Sequence, residues 1–360
     1  MHLLSALDRA GVQLDVRTIG DGDCTRLPEH WFRPIANPDT IIVHTLPGDC
    51  HRVLELEGLR RGAGPRLVAQ STWEALTAPL DIVQPLFDCF DQVWVPSQPT
   101  AQALAANGLH GSGRDRESAV ARVRVIPHCY DDSLEGTQPE YSDPGKFRFY
   151  WIGAWSARKN PGGLIRAFAL AFYPGAKVEL VLHSPGTSLD VFVAALAACG
   201  LEQRELPPIV LSNQHLSPDA INSLHRSSDC FVTAARGEAW NLPAFDAMRA
   251  GRHVIAQYGL GSDEFLVDTS ADLIDGWESP AQVDLAQAYS DDGSITFKRK
   301  CAQGISARSL WLEPNLSSLA DAMRSAFESR NRKIKINYNV AERFGYAAVA
   351  KLVLDALELL

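Results

Sequence analysis

The chain has 360 residues, enough for two domains of ordinary size and a large buried core. Its 46% hydrophobic and 21% charged residues match a soluble globular enzyme. The net charge of −9 argues against broad affinity for nucleic acid or anionic membrane, while leaving room for a local basic patch.

No apolar run reaches the length of a membrane span, and the N-terminus carries no signal-peptide pattern. The seven cysteines (Cys24, Cys50, Cys89, Cys129, Cys199, Cys230 and Cys301) stand at wide spacings without a C-x-x-C pair. They read as reduced, mostly buried thiols of a cytoplasmic protein. No metal-ligand cluster, internal repeat or low-complexity tract is visible.

In chain order, residues 2–10 read as a helix capped by Gly11, and 12–19 as a strand. Residues 40–43 form a β-branched run that delivers His44 to a strand end, where open α/β sheets bind ligands. On residues alone His44 reads equally as a capping or core histidine. Arg66–Gln70 is the next strand, and Glu74 beyond it reads first as a surface or loop carboxylate and second as part of a cleft lining. Arg114, Arg116, Arg122 and Arg124 make a basic run whose default meaning is a solvated face. Residues 131–145, with Gly136, Pro139, Pro144 and Gly145, form the linker.

Phe147–Ile152 is a dense apolar strand followed by a loop from Gly153 through Arg158 and Lys159 to Asn160. Asn160 and Pro161 give an N-cap and first-turn pair, and Leu164, Phe168 and Phe172 the buried stripe of the next helix. Strand, glycine loop and capped helix is phosphate-binding architecture. Residues 178–182 and 209–211 read as strands, 189–199 as a helix, and Ser217-Pro218 as another helix start.

The most informative stretch runs from residue 230 to 256. Residues 230–234 form a short apolar strand and 235–241 a polar loop; Pro243 sits in a first helical turn, and Gly251 ends the helix. Leu242, Phe245 and Met248 space out a buried stripe, while Asp246 lies about 100° round the helix. The helix start offers N–H groups and a positive dipole end to an anion, with a nucleotide diphosphate the usual occupant. Two acids frame it, Glu238 and Asp246, with seven residues between.

This stretch resembles the E-x7-E motif of retaining glycosyltransferases of the GT-B fold, family 4. Glu238, Leu242-Pro243, Ala247-Met248 and Gly251 match in register. Trp240, Asn241, His253 and Asp246 depart from it, the last being one methylene shorter than the usual glutamate. Gly153 and Lys159 match the family's G-x-x-x-x-x-K loop, with Arg158 able to replace the arginine usually following the glycine. Gly261 and Glu264 resemble a G-x-x-E loop, and Trp311 to Pro314 the W-x-E-P helix, whereas 271–308 fit less well and read as an insertion or irregular loop.

The resemblance implies an α/β GT-B fold: two Rossmann-like domains facing across a cleft, at 1–140 (acceptor) and 146–336 (donor), with a helix at 337–360 crossing back to the first. The family normally opens with a strand and glycine loop ahead of the first helix, so either the true start lies upstream or the first sheet lacks its first strand. It implies retaining transfer from a nucleotide sugar without a metal or other cofactor. Glu238 would then hold sugar hydroxyls and His44 lie near the transferred sugar and acceptor. Arg158, Lys159, Gly153, Asn241 and Leu242 would hold the diphosphate and Asp246 the ribose. The acceptor stays open among a glycan, a lipid-linked sugar, a small molecule and a modified nucleic-acid base, and the oligomeric state is not read. Two rivals share the fold: a nucleotide-sugar epimerase or phosphorylase, and a non-catalytic nucleotide-sugar-binding protein.

Overall fold

The computed structural model describes residues 2–18, 27–107, 120–130, 145–200, 206–267, 269, 271–281, 309–330 and 339–358. Contacts divide the chain into two compact units, one of residues 1–73, 77–133 and 338–360, the other of 74–76 and 134–337. Nearly all of the linker at 131–145, and most of the irregular stretch at 271–308, lies outside the described residues.

The first unit holds a parallel sheet in the order β1 (Thr40–His44), β2 (Arg66–Gln70), β3 (Gln92–Val95), β4 (Val123–Val125). Central strands covered on both faces need continuous apolar runs, and Leu67, Val68, Ala69, Val93, Trp94 and Val95 are all buried. One cover is the pair of helices His2–Arg9 and Tyr346–Glu358, which share a core of Ala6, Leu7, Val349 and Val353 with Val68, Trp94 and Ile126. The end of the second helix leaves carbonyls without intrahelical partners. Buried Gln92 donates to Ala356 O at 2.8 Å while accepting from Trp94 Nε1 at 2.8 Å, and Arg66 donates to Leu357 O.

Two expectations fail in this unit. Residues 12–18 do not make a strand: Asp15 forms one isolated antiparallel bridge to Phe32, and its carboxylate is taken by Arg17 and the Ile35 N–H. A local side-chain bond has outcompeted a ladder. Arg122 does not sit on a solvated face either. It is partly buried and donates to Phe87 O and Phe90 O, satisfying carbonyls at the end of the helix Leu80–Cys89.

The second unit has a six-stranded parallel sheet in the order β10, β9, β8, β5, β6, β7. Its strands are β5 (Phe147–Ile152), β6 (Val178–His183), β7 (Ile209–Ser212), β8 (Cys230–Val232), β9 (His253–Gln257) and β10 (Asp272–Ile274). The stretch read as irregular supplies both β10 and a further strand, β11 (Gly276–Pro280), which pairs antiparallel with β12 (Leu310–Pro314). Beneath β5, Phe147, Phe149, Phe168, Phe172 and Phe327 pack with centroids 4.8 to 6.2 Å apart. Each such pair contributes about 0.5–1.5 kcal/mol beyond its buried area.

Chain order in this sheet runs one way from β5 through β6 to β7, then restarts beside β5 with β8 and proceeds the other way. The reversal lies between β5 and β8, which are paired through Phe149↔Cys230 and Tyr150↔Phe231. Loops leaving the carboxyl ends of such neighbours diverge and open a crevice, where ligands of α/β sheets bind.

Candidate active site

The two loops leaving β5 and β8 carry the residues singled out in the sequence. Each ends in an asparagine N-cap in the left-handed conformation, Asn160 with φ 52° and Asn241 with φ 77°. Among the described residues these are the only non-glycine positions with positive φ. Asparagine tolerates this conformation at little cost because its short amide bonds locally. Asn160 Oδ1 accepts the Gly163 N–H at 3.0 Å, and Asn241 Oδ1 the Ala244 N–H at 3.3 Å.

The caps consume part of what each helix start could offer an anion. Pro161 and Pro243 have no N–H, and the asparagines take the third position. Gly162 N–H and Leu242 N–H are left in the two first turns, outside the helices' own bonding. Gly153 begins the first loop, its N–H bonded to His183 O at 3.1 Å. A Cβ there would stand 2.7 Å from the Trp151 ring, so the position requires glycine.

The cations and acids of the two loops are joined. Lys159 Nζ lies 2.6 Å from Glu238 Oε1, and Arg158 Nη1 lies 3.4 Å from Glu238 Oε2 while donating to Gly237 O at 2.7 Å. Glu238 and Lys159 side chains are 6% and 15% exposed, so this pair is largely withdrawn from water. Arg158 Nη2 also reaches Glu74 Oε1 at 3.3 Å, and Glu74 belongs to this same unit. The Glu238 carbonyl accepts the Gly261 N–H at 2.8 Å, and a Cβ on Gly261 would stand 2.1 Å from Ala239 O.

Sequence reasoning missed the residue that laces the loops together. Arg236 bonds both carboxylate oxygens of Glu313 of β12 through Nε and Nη2, donates from Nη1 to Ala157 O, and gives its own N–H to Arg158 O at 2.7 Å. The signal was present: Arg236 stands two residues before Glu238, and Glu313 is the acid of the W-x-E-P segment. Only the fold shows that they meet.

Two motif residues sit differently from expectation. Leu242 was placed in a buried stripe, yet it is 49% exposed; the buried face is Ala244, Phe245, Ala247 and Met248. The left-handed Asn241 turns the first helical residue toward the rim. Asp246 is partly exposed and pairs with Arg249 of its own helix at 3.3 Å. Partial burial raises its pKa, and Arg249 pulls it back. Trp240, a departure from the motif, fills the space against Phe245 and Phe265, with centroids at 5.3 and 4.9 Å.

His44 ends β1 in the first unit; the residue as a whole is exposed, while packing around its imidazole lowers the pKa. His128, three residues beyond β4, is held at about 4 by burial and then by the neighbouring charge of His44. Among the described residues no group of three or more His, Cys, Asp or Glu could hold a metal ion, and no helix is long and apolar enough to cross a membrane.

No protein-family model matches the sequence. No curated protein matches it either. Solved structures do match. HepE from Anabaena in complex with UDP-glucose is 15% identical, with 89% of this chain and 79% of that one covered and a TM-score of 0.53. The lipopolysaccharide outer core galactosyltransferase WaaB is 13% identical over 90% and 76%, with a TM-score of 0.52. Sucrose-phosphate synthase from Thermosynechococcus elongatus is 13% identical over 88% and 73%, with a TM-score of 0.53. The chain is an α/β protein that shares the GT-B fold with these structures.

Proposed function

We propose that the chain is a glycosyltransferase that moves a sugar from a nucleotide-sugar donor to an acceptor with retention of configuration. The observation that carries this reading is the junction of Arg158, Lys159 and Glu238 on the two loops that diverge where the strand order reverses. Two cations beside two capped helix starts suit a departing diphosphate, and a buried carboxylate between them suits sugar hydroxyls. Gly153, Asn241 and Leu242 shape this diphosphate pocket, with the Leu242 and Gly162 N–H groups adding donors. Asp246 is assigned to the ribose, which competes with Arg249 for its carboxylate. His44 is assigned to the neighbourhood of the transferred sugar and the acceptor.

Catalysis in this reading is positioning and charge stabilisation, with the leaving diphosphate helping to deprotonate the acceptor on the same face. The cations and N–H groups take the place of a divalent metal. Family 4 is the assignment favoured by the register of Glu238, Leu242-Pro243, Ala247-Met248 and Gly251. The free thiols of the five described cysteines fit a cytoplasmic location.

The test is product analysis with UDP-glucose and other nucleotide sugars, with and without a panel of acceptors, in the presence of a chelator. Transfer that needs an acceptor, survives chelation and keeps the anomeric configuration supports the reading. Conversion of the donor without an acceptor indicates an epimerase, and tight binding without turnover a binding protein.

A further inference from the structure

Two cations, Arg158 and Lys159, face two carboxylates, Glu74 and Glu238, so the four side chains together carry no net charge toward an incoming diphosphate. A donor diphosphate competes with these carboxylates for the cations, and the two candidate exchanges are unequal. Lys159 and Glu238 meet at 2.6 Å with side chains 15% and 6% exposed, whereas Arg158 and Glu74 meet at 3.3 Å with 26% and 43% exposed. A short pair withdrawn from water is expensive to break, and a half-exposed one is held weakly.

Glu74 is nevertheless not a wandering surface group. A Cβ on Gly237 would stand 2.0 Å from Glu74 O, and the Leu76 N–H bonds Leu310 O at 2.8 Å. The segment is thus seated against the very loop that carries Glu238, and its carboxylate is delivered to one guanidinium nitrogen while Gly237 O and Glu238 hold the other.

Resting on the diphosphate reading above, we propose that Glu74 is a positioning residue that competes with the donor's diphosphate for Arg158 and yields the guanidinium to it. Arg158 is then the exchangeable cation of the pair, and Lys159 stays with Glu238 to fix the sugar-binding carboxylate. Glu74 sets donor affinity by competition: it stands where a phosphate oxygen will bond the guanidinium, and it leaves on binding.

The test is calorimetric titration of UDP, inorganic pyrophosphate and uridine into wild type, Glu74→Gln, Arg158→Ala and the double variant. Removing a competing half-exposed carboxylate is expected to tighten UDP and pyrophosphate by about two- to fivefold, with uridine unchanged. In the Arg158→Ala background the same substitution should have no effect on either ligand, a coupling that mere loosening of the segment would not produce. Glu74→Asp should return affinity toward wild type. Equal UDP affinity in wild type and Glu74→Gln, or an equal gain without Arg158, overturns the proposal while leaving the diphosphate site standing. If wild type binds neither UDP nor pyrophosphate, and no other nucleoside diphosphate, the site reading fails and this inference with it.

Discussion

The two units have the same layered construction and differ in strand order, and the difference tracks where charge is placed. The described strands of the first unit follow one another across the sheet as β1, β2, β3, β4, without reversal, whereas the second unit reverses between β5 and β8. At the strand ends of the first unit stand neutral groups: His44, Gln70, Ser71, Ser97 and His128. Gln70 Oε1 and Ser71 Oγ there are buried without a hydrogen-bond partner. At the reversal of the second unit stand Arg158, Lys159 and Glu238, paired and largely buried. Charges withdrawn from water persist only where opposite partners and N–H groups converge. A pair of diverging loops supplies that convergence.

The comparison breaks first on the Lys159–Glu238 pair. Removing one partner of a buried ion pair costs about 3–5 kcal/mol, because the other charge is left behind. Lys159→Ala should therefore destabilise the protein by an amount near the lower end, since Arg158 remains at 3.4 Å. Adding Glu238→Gln to it should recover more than half of the loss. Urea unfolding followed by tryptophan fluorescence measures both; a loss under about 1 kcal/mol would mean the pair behaves as a screened surface bridge.

Activity is the second way to separate the units. Under the proposed function Glu238→Gln should lower transfer by about 10²–10³-fold, the usual effect of losing one preorganised polar group. UDP affinity should not fall, since the change frees Lys159. His44→Ala should lower turnover with donor affinity retained, because it lies outside the unit that carries Arg158, Lys159 and Glu238. Parallel losses of UDP affinity and turnover in both variants would remove the distinction between a donor unit and an acceptor residue.

Acid stability gives each unit one reporter. His225 in the second unit is 2% exposed and bonded through Nδ1 to Tyr150 Oη at 2.7 Å; burial, then Arg249 and Arg252, holds its pKa at about 4. His128 in the first unit is also held at about 4. A depressed folded pKa means that the unfolded chain binds the proton first. The resulting stability is complete above the unfolded value of about 6.5 and is lost as pH falls toward 4. For His225 the loss should approach about 3 kcal/mol. His225→Gln should flatten the acid limb between pH 6.5 and 4, and His128→Gln should flatten the remainder; an acid limb unchanged by either variant would contradict both burials.

Much of this molecule is legible in the sequence wherever local rules suffice. Arg66–Gln70 and Phe147–Ile152 have the read boundaries, as apolar runs between turn signals should. Asn160 and Asn241 act as caps because Asn-Pro and Asn-Leu-Pro leave few alternatives, and Gly251, with φ 70°, ends its helix. The misses are tertiary. Nothing near Glu74 in sequence reveals that its carbonyl rests on Gly237, and nothing near Arg236 reveals Glu313. Leu242 obeys the helical period yet lies outside the core, because the period fixes spacing and the left-handed residue before it sets where the first turn faces.

The smallest expected effect concerns the two histidines of the first unit. The charge of His44 is the second cause, after burial, of the lowered pKa of His128. If the neutral strand-end groups of this unit form one electrostatic set, replacing His44 must be felt at His128 through space. In His44→Gln the repulsion vanishes while the burial stays, so the pKa of His128 should move up from about 4 and remain below 6.5. The sign follows from the removed cation, since each proton on His44 disfavours a second one on His128. Stability between pH 4 and 6.5 should then fall less steeply, by less than in His128→Gln, because only the minor cause has been removed. Proton titration of the imidazole signals reads the shift without reference to any ligand or reaction. A His128 pKa that is unchanged, or that falls, would show that the two rings do not sense each other. His44 would then stand electrostatically alone at its strand end.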